Sequence, residues 1–262
     1  MIQRAYITEW RARAPWALDE QVEQDLIISR ALINLYSEET LRSAVAFRGG
    51  TALHKLFLRA PVRYSEDIDL VQIEAGGIGP VMDAVRRSLD SWLGKPQWKQ
   101  GWGRVTLYYR FTTEIEPVQQ RRLKVEINTR EHFSVHGLRR HRFEVTSRWW
   151  SGQAEITTYD LDELLATKLR ALYQRRKGRD LFDLWIALGR KEVDPKRIVP
   201  TFHRYMEAEG SAVSRSEFEE NLAAKVKTHS FTEDLRPLLA PGIRYDVTEA
   251  AALVEDRLLV LL

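Results

Sequence analysis

Apolar residues recur along this chain with two spacings, and the change from one to the other divides the sequence. A spacing of three to four residues predicts a helix, and strict alternation predicts a strand. The spacing predicts helices over residues 19–36, 51–59, 80–94, 160–176, 180–189, 195–208, 215–227 and 247–261. Alternation or short apolar runs predict strands over residues 44–48, 65–73, 103–115, 121–128 and 141–147.

The predicted strands all lie in the first part of the chain, and after them nearly everything has the helical spacing. We take Ser151-Gly152-Gln153 as the boundary between the two parts, because small and polar residues break regular structure. The predicted fold class is therefore α+β and bilobed. A mixed-sheet α/β lobe covers residues 1–152, and an α-helical lobe covers residues 153–262.

Composition excludes several classes of protein. The chain has 262 residues, of which 44% are hydrophobic and 29% charged, as in ordinary globular domains. It has 0 Cys, which excludes disulfides, thiolate metal sites and Cys nucleophiles. No apolar run is long enough to span a membrane, and charges interrupt the N-terminal stretch where a signal peptide is apolar. These features predict a cytoplasmic protein without a membrane segment.

The formal net charge of +3 conceals an uneven distribution. Residues 121–179 carry 14 basic and 7 acidic residues, whereas residues 180–262 carry 11 basic and 15 acidic residues. A basic block of this kind favours a phosphate-rich partner such as RNA. It is also compatible with a solvated face of strands and helices.

The first candidate for chemistry is a pair of carboxylates. Residues two apart in a strand point to the same face, so Ser65, Asp67 and Asp69 share one face of the predicted strand 65–73. Two adjacent carboxylates repel each other unless protons or cations neutralise them. Such hard oxygen ligands suit Mg²⁺, which takes one or two carboxylates plus substrate phosphates. The alternative is a solvated acidic turn.

Gly49-Gly50 lies between a short apolar strand and a predicted helix for which Thr51 is the expected N-cap. Glycines allow the backbone to approach a ligand closely, and free amides at a helix N-terminus favour an anion such as a triphosphate. A plain strand–turn–helix connection would use the same residues.

A third acid comes from the alternating segment 123–127. Leu123, Val125 and Ile127 occupy one face of this predicted strand, and Lys124 and Glu126 occupy the other. Glu126 can therefore lie beside Asp67 and Asp69 on a neighbouring strand, as a site for two metal ions requires. Alternatively, Glu126 pairs with Lys124 or Arg122.

Lys168 falls within the leucine stripe of the predicted helix 160–176, where an ammonium group needs an anion. It either reaches substrate phosphates or pairs with a structural carboxylate such as Asp180. Asp180 is also a good N-cap for the next helix, and it could orient Lys168. Asp183 is expected to be exposed or paired with Arg179.

Four segments together resemble a known family. They are FRGGTAL (47–53), RYSEDIDL (63–70), KVEIN (124–128) and ELLATKLRALYQRRKGRDLFDL (163–184). Their order over residues 45–190 resembles that in AbiEii/AbiGii nucleotidyltransferase toxins, which belong to the DNA polymerase β-like nucleotidyltransferase superfamily. One departure is Gly178, where many members have Pro, and we expect it to change only the stiffness of the turn.

The resemblance implies a bilobed fold and a type IV toxin–antitoxin system, in which an antitoxin of the transcriptional-regulator type is encoded in the same operon. Some members transfer nucleotides to the 3′ end of tRNA, and others are linked to abortive infection. The residues that match by position are Gly49, Gly50, Thr51 and Ser65 for nucleotide binding, Asp67, Asp69 and Glu126 for metal binding, and Lys168 and Asp180 for catalysis.

The sequence-based interpretation is thus a Mg²⁺-dependent toxin, with Mn²⁺ as an alternative ion, that transfers a nucleotide from an NTP to an RNA acceptor. The basic block would hold the RNA through its phosphates. Two alternatives stay open at this point. One is the same chemistry on a protein or small molecule, and the other is a non-catalytic interaction protein with the same fold.

Overall fold

A computed structural model describes residues 2–58 and 60–262. The chain divides into two compact units. The first comprises residues up to Ser134 together with Leu138–Tyr159, and the second comprises Val135–Gly137 together with Asp160–Leu262. The boundary expected after residue 152 therefore lies later, because residues 151–159 form a strand that belongs to the sheet.

The first unit contains five helices and seven strands within its described residues. Its helices are α1 (Arg4–Trp10), α2 (Asp19–Ser37), α3 (Glu39–Ala44), α4 (Gly49–Ala52) and α5 (Gly79–Leu93). Its strands are β1 (Val45–Arg48), β2 (Asp67–Gln72), β3 (Gln97–Gly101), β4 (Arg104–Thr112), β5 (Gln120–Asn128), β6 (Leu138–Thr146) and β7 (Ser151–Tyr159). A π-helical turn, Leu53–Phe57, continues α4.

The strands form one mixed sheet in the order β3-β4-β5-β2-β1-β7-β6. β2 is parallel to β5 and β1 is parallel to β7, whereas the other neighbouring pairs are antiparallel. This order places β5, which carries Glu126, directly beside β2, which carries Asp67 and Asp69.

Strict alternation gives the sheet one apolar and one polar face in its central strands. Ile68, Leu107, Val125 and Ile127 are fully buried. The same face carries Tyr109, whose hydroxyl donates a hydrogen bond to Asp90 of α5 at 3.0 Å. Helix α5 therefore packs against this apolar face of the sheet. The residues between them, including the acids, therefore point to the other face.

The second unit is helical. It consists of α6 (Leu161–Gln174), α7 (Gly178–Leu188), α8 (Pro195–Ala208), α9 (Arg215–Val226), α10 (His229–Thr232), α11 (Val247–Arg257) and two short 3₁₀ turns. Glu163 is fully buried in it. Its carboxylate accepts hydrogen bonds from the Val135 and His136 amides at 2.7 and 2.9 Å and from the Tyr205 hydroxyl at 2.9 Å. Those bonds explain why residues 135–137 belong to this unit.

The mixed sheet followed by a helical unit confirms the predicted α+β fold class. Four predictions about local structure were wrong or incomplete. The polar edge strand β3 and the strand β7 were missed, since Ser151-Gly152-Gln153 has the composition of a turn. Neither Thr51 nor Asp180 is an N-cap, because α4 begins at Gly49 and α7 begins at Gly178.

Gly178 has a steric role in addition to the expected effect on the stiffness of the turn. A Cβ at this position would lie 2.2 Å from the carbonyl oxygen of Phe231 in α10. Backbone atoms cannot yield as a flexible side chain does, so a larger residue at position 178 requires α10 to shift. Within residues 2–58 and 60–262, no helix combines the length and the apolar character needed to cross a membrane.

Candidate active site

Three carboxylates converge on the polar face of the sheet in the first unit. In the parallel pairing of β2 with β5, Asp69 lies opposite Glu126 and Asp67 lies opposite Lys124. Residues opposite each other on neighbouring strands share a face, so Asp67, Asp69 and Glu126 form a cluster with Lys124 among them. We call this set the acidic row.

The acidic row concentrates negative charge at a partly buried place. Burial and the neighbouring Asp67 carboxylate raise the pKa of Asp69 above its usual value, and Glu126 adds to the effect while Lys124 and Arg48 oppose it. A carboxyl group whose ionised form is disfavoured in this way gains stability from any added cation.

Lys124 supplies one such cation. Its ammonium nitrogen lies 2.8 Å from Asp67 Oδ2 and 3.6 Å from Glu126 Oε2. Burial would lower the pKa of Lys124, but the hydrogen bond that its ammonium group donates to Asp67 and the charges of Asp67, Asp69 and Glu126 raise it above its usual value. The pairing of Glu126 with Lys124 that the sequence left open is thus present, together with the proximity of all three acids.

The oxygen donors of the acidic row have the chemistry that a hard divalent cation prefers. Across residues 2–58 and 60–262, however, no three His, Asp or Glu side chains lie close enough to hold an ion as they stand. Lys124 binds two of the three carboxylates. The three carboxylates thus fit a divalent cation in donor type and in negative charge, but their present arrangement does not form a three-ligand site.

The Gly49-Gly50 turn packs directly against the acidic row. Gly49 has a φ of +80°, and a Cβ there would lie 2.3 Å from Asp69 Oδ2. A Cβ on Gly50 would lie 2.5 Å from the Arg63 guanidinium. A glycine is therefore favoured at both positions, because Gly49 lies close to the Asp69 carboxylate and Gly50 lies close to a buried arginine.

Thr51 and Ser65 connect this turn to β2. The Thr51 hydroxyl donates to the Asp67 carbonyl at 2.5 Å and lies 2.8 Å from the Ser65 hydroxyl. Thr51 is 1% exposed, so its side chain joins α4 to the first residue of β2. Ser65 is only partly buried and lies next to Gly50, where a Cβ would be 3.2 Å from its Oγ. Of the two hydroxyls, Ser65 is the one placed to meet a ligand.

Arg48 is a residue of this site that the sequence analysis did not identify. Antiparallel pairing of β1 with β2 places it opposite Asp69, and it forms an ion pair with Glu131. Burial would lower the pKa of Arg48, but Glu131 raises it, so the group stays charged. Its position directly before Gly49 was a sequence signal that it belongs to this site. Only the strand pairing, however, shows that Arg48 lies next to the acids.

Lys168 and Asp180 lie in the second unit, in a buried ion cluster. The Lys168 ammonium is 3.1 Å from Asp180 Oδ1 and 2.8 Å from Asp183 Oδ2. Arg175 Nε and Nη2 lie 2.6 and 2.8 Å from the Asp180 carboxylate. Asp180 and Asp183 are both 0% exposed, so the expectation that Asp183 is exposed or paired with Arg179 was wrong. Arg179 instead binds Asp234.

This arrangement matches the second interpretation of Lys168, in which it pairs with a structural carboxylate such as Asp180. Burial would raise the pKa of Asp180, but the Lys168 and Arg175 cations lower it below its usual value. Lys168 thereby satisfies two buried carboxylates that would otherwise be costly.

The basic block of residues 121–179 does not form one surface. Arg121, Arg122 and Lys124 lie on β5, beside the acidic row, whereas Arg139, Arg140 and Arg142 lie on β6 at the opposite edge of the sheet. Residues 175–177 belong to the second unit. Within the first unit, the part of the block on β5 adjoins the acids, whereas the part on β6 does not.

Comparisons with known proteins identify relatives of the chain. A family model described as "Nucleotidyl transferase AbiEii toxin, Type IV TA system" matches residues 30–252. MenT4, a nucleotidyltransferase toxin from Mycobacterium tuberculosis H37Rv, has a similar structure with a TM-score of 0.72 at 19% identity, over 100% of this chain and 91% of that one. A candidate nucleotidyltransferase from H. pylori has a TM-score of 0.56 at 17% identity, over 93% of this chain and 95% of that one. A search of curated protein sequences found no match.

Proposed function

The chain belongs to the AbiEii family of nucleotidyltransferase toxins of type IV toxin–antitoxin systems, and from this premise we propose that it transfers a nucleotide from an NTP to the 3′ end of an RNA. The acceptor we propose is tRNA, so that the modification inhibits translation and growth. The observation that carries the proposal is the acidic row, in which Asp69 lies opposite Glu126 on parallel strands. We expect the protein to act in the cytoplasm, where this acceptor is found.

Asp67, Asp69 and Glu126 would hold Mg²⁺ or Mn²⁺. Such an ion, when bound, supplies charge that stabilises the transferred phosphoryl group and lowers the pKa of a bound hydroxyl. Burial and the Asp67 charge raise the pKa of Asp69, so a bound cation would favour the ionised form of this carboxylate. Glu126, on the β5 side, would orient the acceptor hydroxyl and receive its proton.

The reaction would be an in-line displacement. The acceptor O3′ forms a bond to the α-phosphorus, the bond from that phosphorus to the bridging oxygen breaks, and pyrophosphate leaves with the electron pair. The Gly49 and Gly50 amides and the Ser65 hydroxyl would bind the phosphates. Thr51 would act indirectly, by holding Ser65 and the start of β2.

Lys168 and Asp180 match the family pattern, but in the structure each has its charge satisfied by the other. We propose that they position α6 against α7 rather than contact the nucleotide. The antitoxin partner is proposed to be a transcriptional regulator encoded in the same operon.

Incubation with α-³²P-labelled NTPs and total tRNA tests the proposed function. We expect label in RNA, and we expect γ-³²P label to leave as pyrophosphate. Label in protein with none in RNA would favour the alternative of a protein acceptor. No transfer to any acceptor in the presence of Mg²⁺ and Mn²⁺ would revive the non-catalytic interpretation.

Gly49→Ala should damage the site through the contact with Asp69. The added Cβ would displace the Asp69 carboxylate, and a φ of +80° costs an alanine about 1–2 kcal/mol. We expect transfer to fall about tenfold or more, measured as initial rate alongside thermal unfolding.

Gly94→Ala is the matched control for this substitution. Gly94 has a φ of +76°, and a Cβ there meets no atom within 4 Å. It should lose a similar free energy of unfolding and keep the wild-type rate. Equal rates for the two variants would show that the Gly49–Asp69 contact is unimportant for transfer.

A further inference from the structure

A cavity of about 640 Å³ lies beside Asp67 in the first unit, at the start of β2 and β5. Its lining includes the cationic side chains of Arg110, Arg121, Arg122 and Lys124, against the two acids Glu66 and Asp67. The cavity therefore carries an excess of positive charge immediately next to the acidic row. We call it the basic cavity.

Two of these cations lack a carboxylate partner. Lys124 is bound to Asp67, and Arg121 lies 3.8 Å from Glu20. Arg110 and Arg122 have no ion-pair partner among residues 2–58 and 60–262. The positive charge that is not neutralised by an ion pair thus lies on β4 and β5, at Arg110 and Arg122.

Arg110 and Arg122 also face each other. They are register partners in the antiparallel pairing of β4 with β5. Like charges directly opposite on neighbouring strands are destabilising. Such a pair is understandable where an anion binds between the strands and offsets the repulsion.

Neighbouring side chains contact both guanidinium groups. Arg122 lies over the Tyr108 ring, 4.9 Å from its centroid, and Arg110 donates to Gln97 Oε1 at 2.9 Å. Buried Gln24 donates to the carbonyls of Glu66 and Arg122 at 3.1 and 3.4 Å, which joins the cavity wall at β2 to the wall at β5. Guanidinium groups held in place are suited to bidentate contacts with phosphate.

The position of the basic cavity indicates which phosphates it binds. The sheet order places β1 and the Gly49-Gly50 turn on one side of β2, and β5 and β4 on the other. The proposed triphosphate site lies on the first side. Glu126 and the cavity lie on the second, where the acceptor must enter. Arg122 precedes Glu126 by four residues, which is about 13 Å along the strand at a rise of about 3.3 Å per residue.

We propose that the basic cavity binds backbone phosphates of the acceptor RNA, close to its 3′-terminal nucleotide, and so directs the terminal hydroxyl to Glu126. This inference rests on the proposed function and identifies the residues that hold its acceptor. Contacts to phosphates position a strand without reading its bases. The cavity therefore favours a polynucleotide end of any sequence, and base preference must arise elsewhere.

The test is a double substitution, Arg110→Gln with Arg122→Gln, assayed in the full-length protein. Removing two opposed like charges should preserve folding. We expect the KM for tRNA to rise about tenfold or more, because the charged hydrogen bonds from two guanidinium groups to phosphate are lost. The KM for the NTP should change less than twofold. Arg140→Gln, on exposed β6 at the far edge of the sheet, is the matched control and should change neither KM.

Direct binding of fluorescein-labelled tRNA without NTP separates this inference from the proposed function. We expect the double variant to bind more weakly and the salt dependence of log K to become shallower by about 1.4, at about 0.7 for each lost phosphate contact. Weaker tRNA binding by the double variant would by itself support the role of the cavity, even if wild type transferred nucleotides to another acceptor. A raised KM for the NTP would assign the cavity to the triphosphate and overturn the inference. Equal tRNA binding by wild type and the double variant would also overturn it.

Discussion

Asp69→Asn is expected to lower the rate of nucleotide transfer by about a thousandfold or more while the protein stays folded. Asp69 is the member of the acidic row that lies opposite Glu126, contacts the Gly49 backbone and has a raised pKa. An amide at this position keeps the shape of the side chain but removes the charge that a divalent cation requires. Initial rates with labelled NTP and tRNA measure the loss.

The stability of the same variant separates a catalytic role from a structural one. Because the pKa of Asp69 is raised in the folded state, that state binds its proton more tightly than the unfolded chain does. The contribution of Asp69 to the free energy of unfolding therefore falls as the pH rises from the unfolded pKa through the folded one. At neutral pH, Asp69→Asn should be at least as stable as wild type.

Asp83→Asn is the control for this experiment, since the Asp83 side chain on α5 is 65% exposed. It should keep both the wild-type rate and the wild-type stability. Transfer at the wild-type rate by Asp69→Asn would remove the acidic row from the mechanism. A marked loss of stability at neutral pH would mean that the lost activity reflects misfolding.

Lys168→Met is expected to lower the free energy of unfolding by about 3–5 kcal/mol. The substitution removes the cation that lies 2.8 Å from buried Asp183, and it removes one of the cations that bind Asp180, which keeps its ion pair with Arg175. Uncompensated buried charges are costly, whereas a lysine that reaches a ligand from the surface could be replaced at little cost to stability. Urea unfolding at neutral pH without nucleotide gives the required value.

Lys177→Met provides the comparison, because Lys177 is 48% exposed and pairs with Asp234 at the surface of the same unit. We expect it to lose less than about 1 kcal/mol. If Lys168→Met were nearly as stable as wild type and still lost transfer activity, Lys168 would contact the substrate, as the family pattern implies. In that case the positioning role proposed for it would be wrong.

The sequence predicted the faces of the strands well, because side-chain direction depends only on alternation. It placed Asp67 and Asp69 on the same face of one strand, and it placed Lys124 and Glu126 on the same face of a second strand. It could not provide the register between β2 and β5, which are more than fifty residues apart in the chain and pair through the fold as a whole. The position of Lys124 opposite Asp67 follows from this register, and the position of Arg48 opposite Asp69 follows from the register between β1 and β2, so neither could be predicted from the sequence.

Residues with two plausible roles were the other source of error. Thr51 and Asp180 are common N-cap types, but each lies inside a helix and uses its side chain for a tertiary contact. Asp183 was expected to be exposed or paired with Arg179, because its helical neighbours gave no sign of Lys168, which lies fifteen residues earlier. The basic block was continuous only in sequence, since β5 and β6 lie at different places in the sheet. Its part on β5 joins Arg110, from β4, to form the basic cavity.

We propose that this toxin adds nucleotides to RNA 3′ ends, and sequencing of those ends is the decisive measurement. Total tRNA is incubated with the protein, Mg²⁺ and each NTP in turn, and wild type is compared with Asp69→Asn. We expect untemplated nucleotides at the 3′ ends of tRNA with wild type only. Unchanged 3′ ends with wild type, while α-³²P label accumulates in protein or in a small molecule, would contradict it.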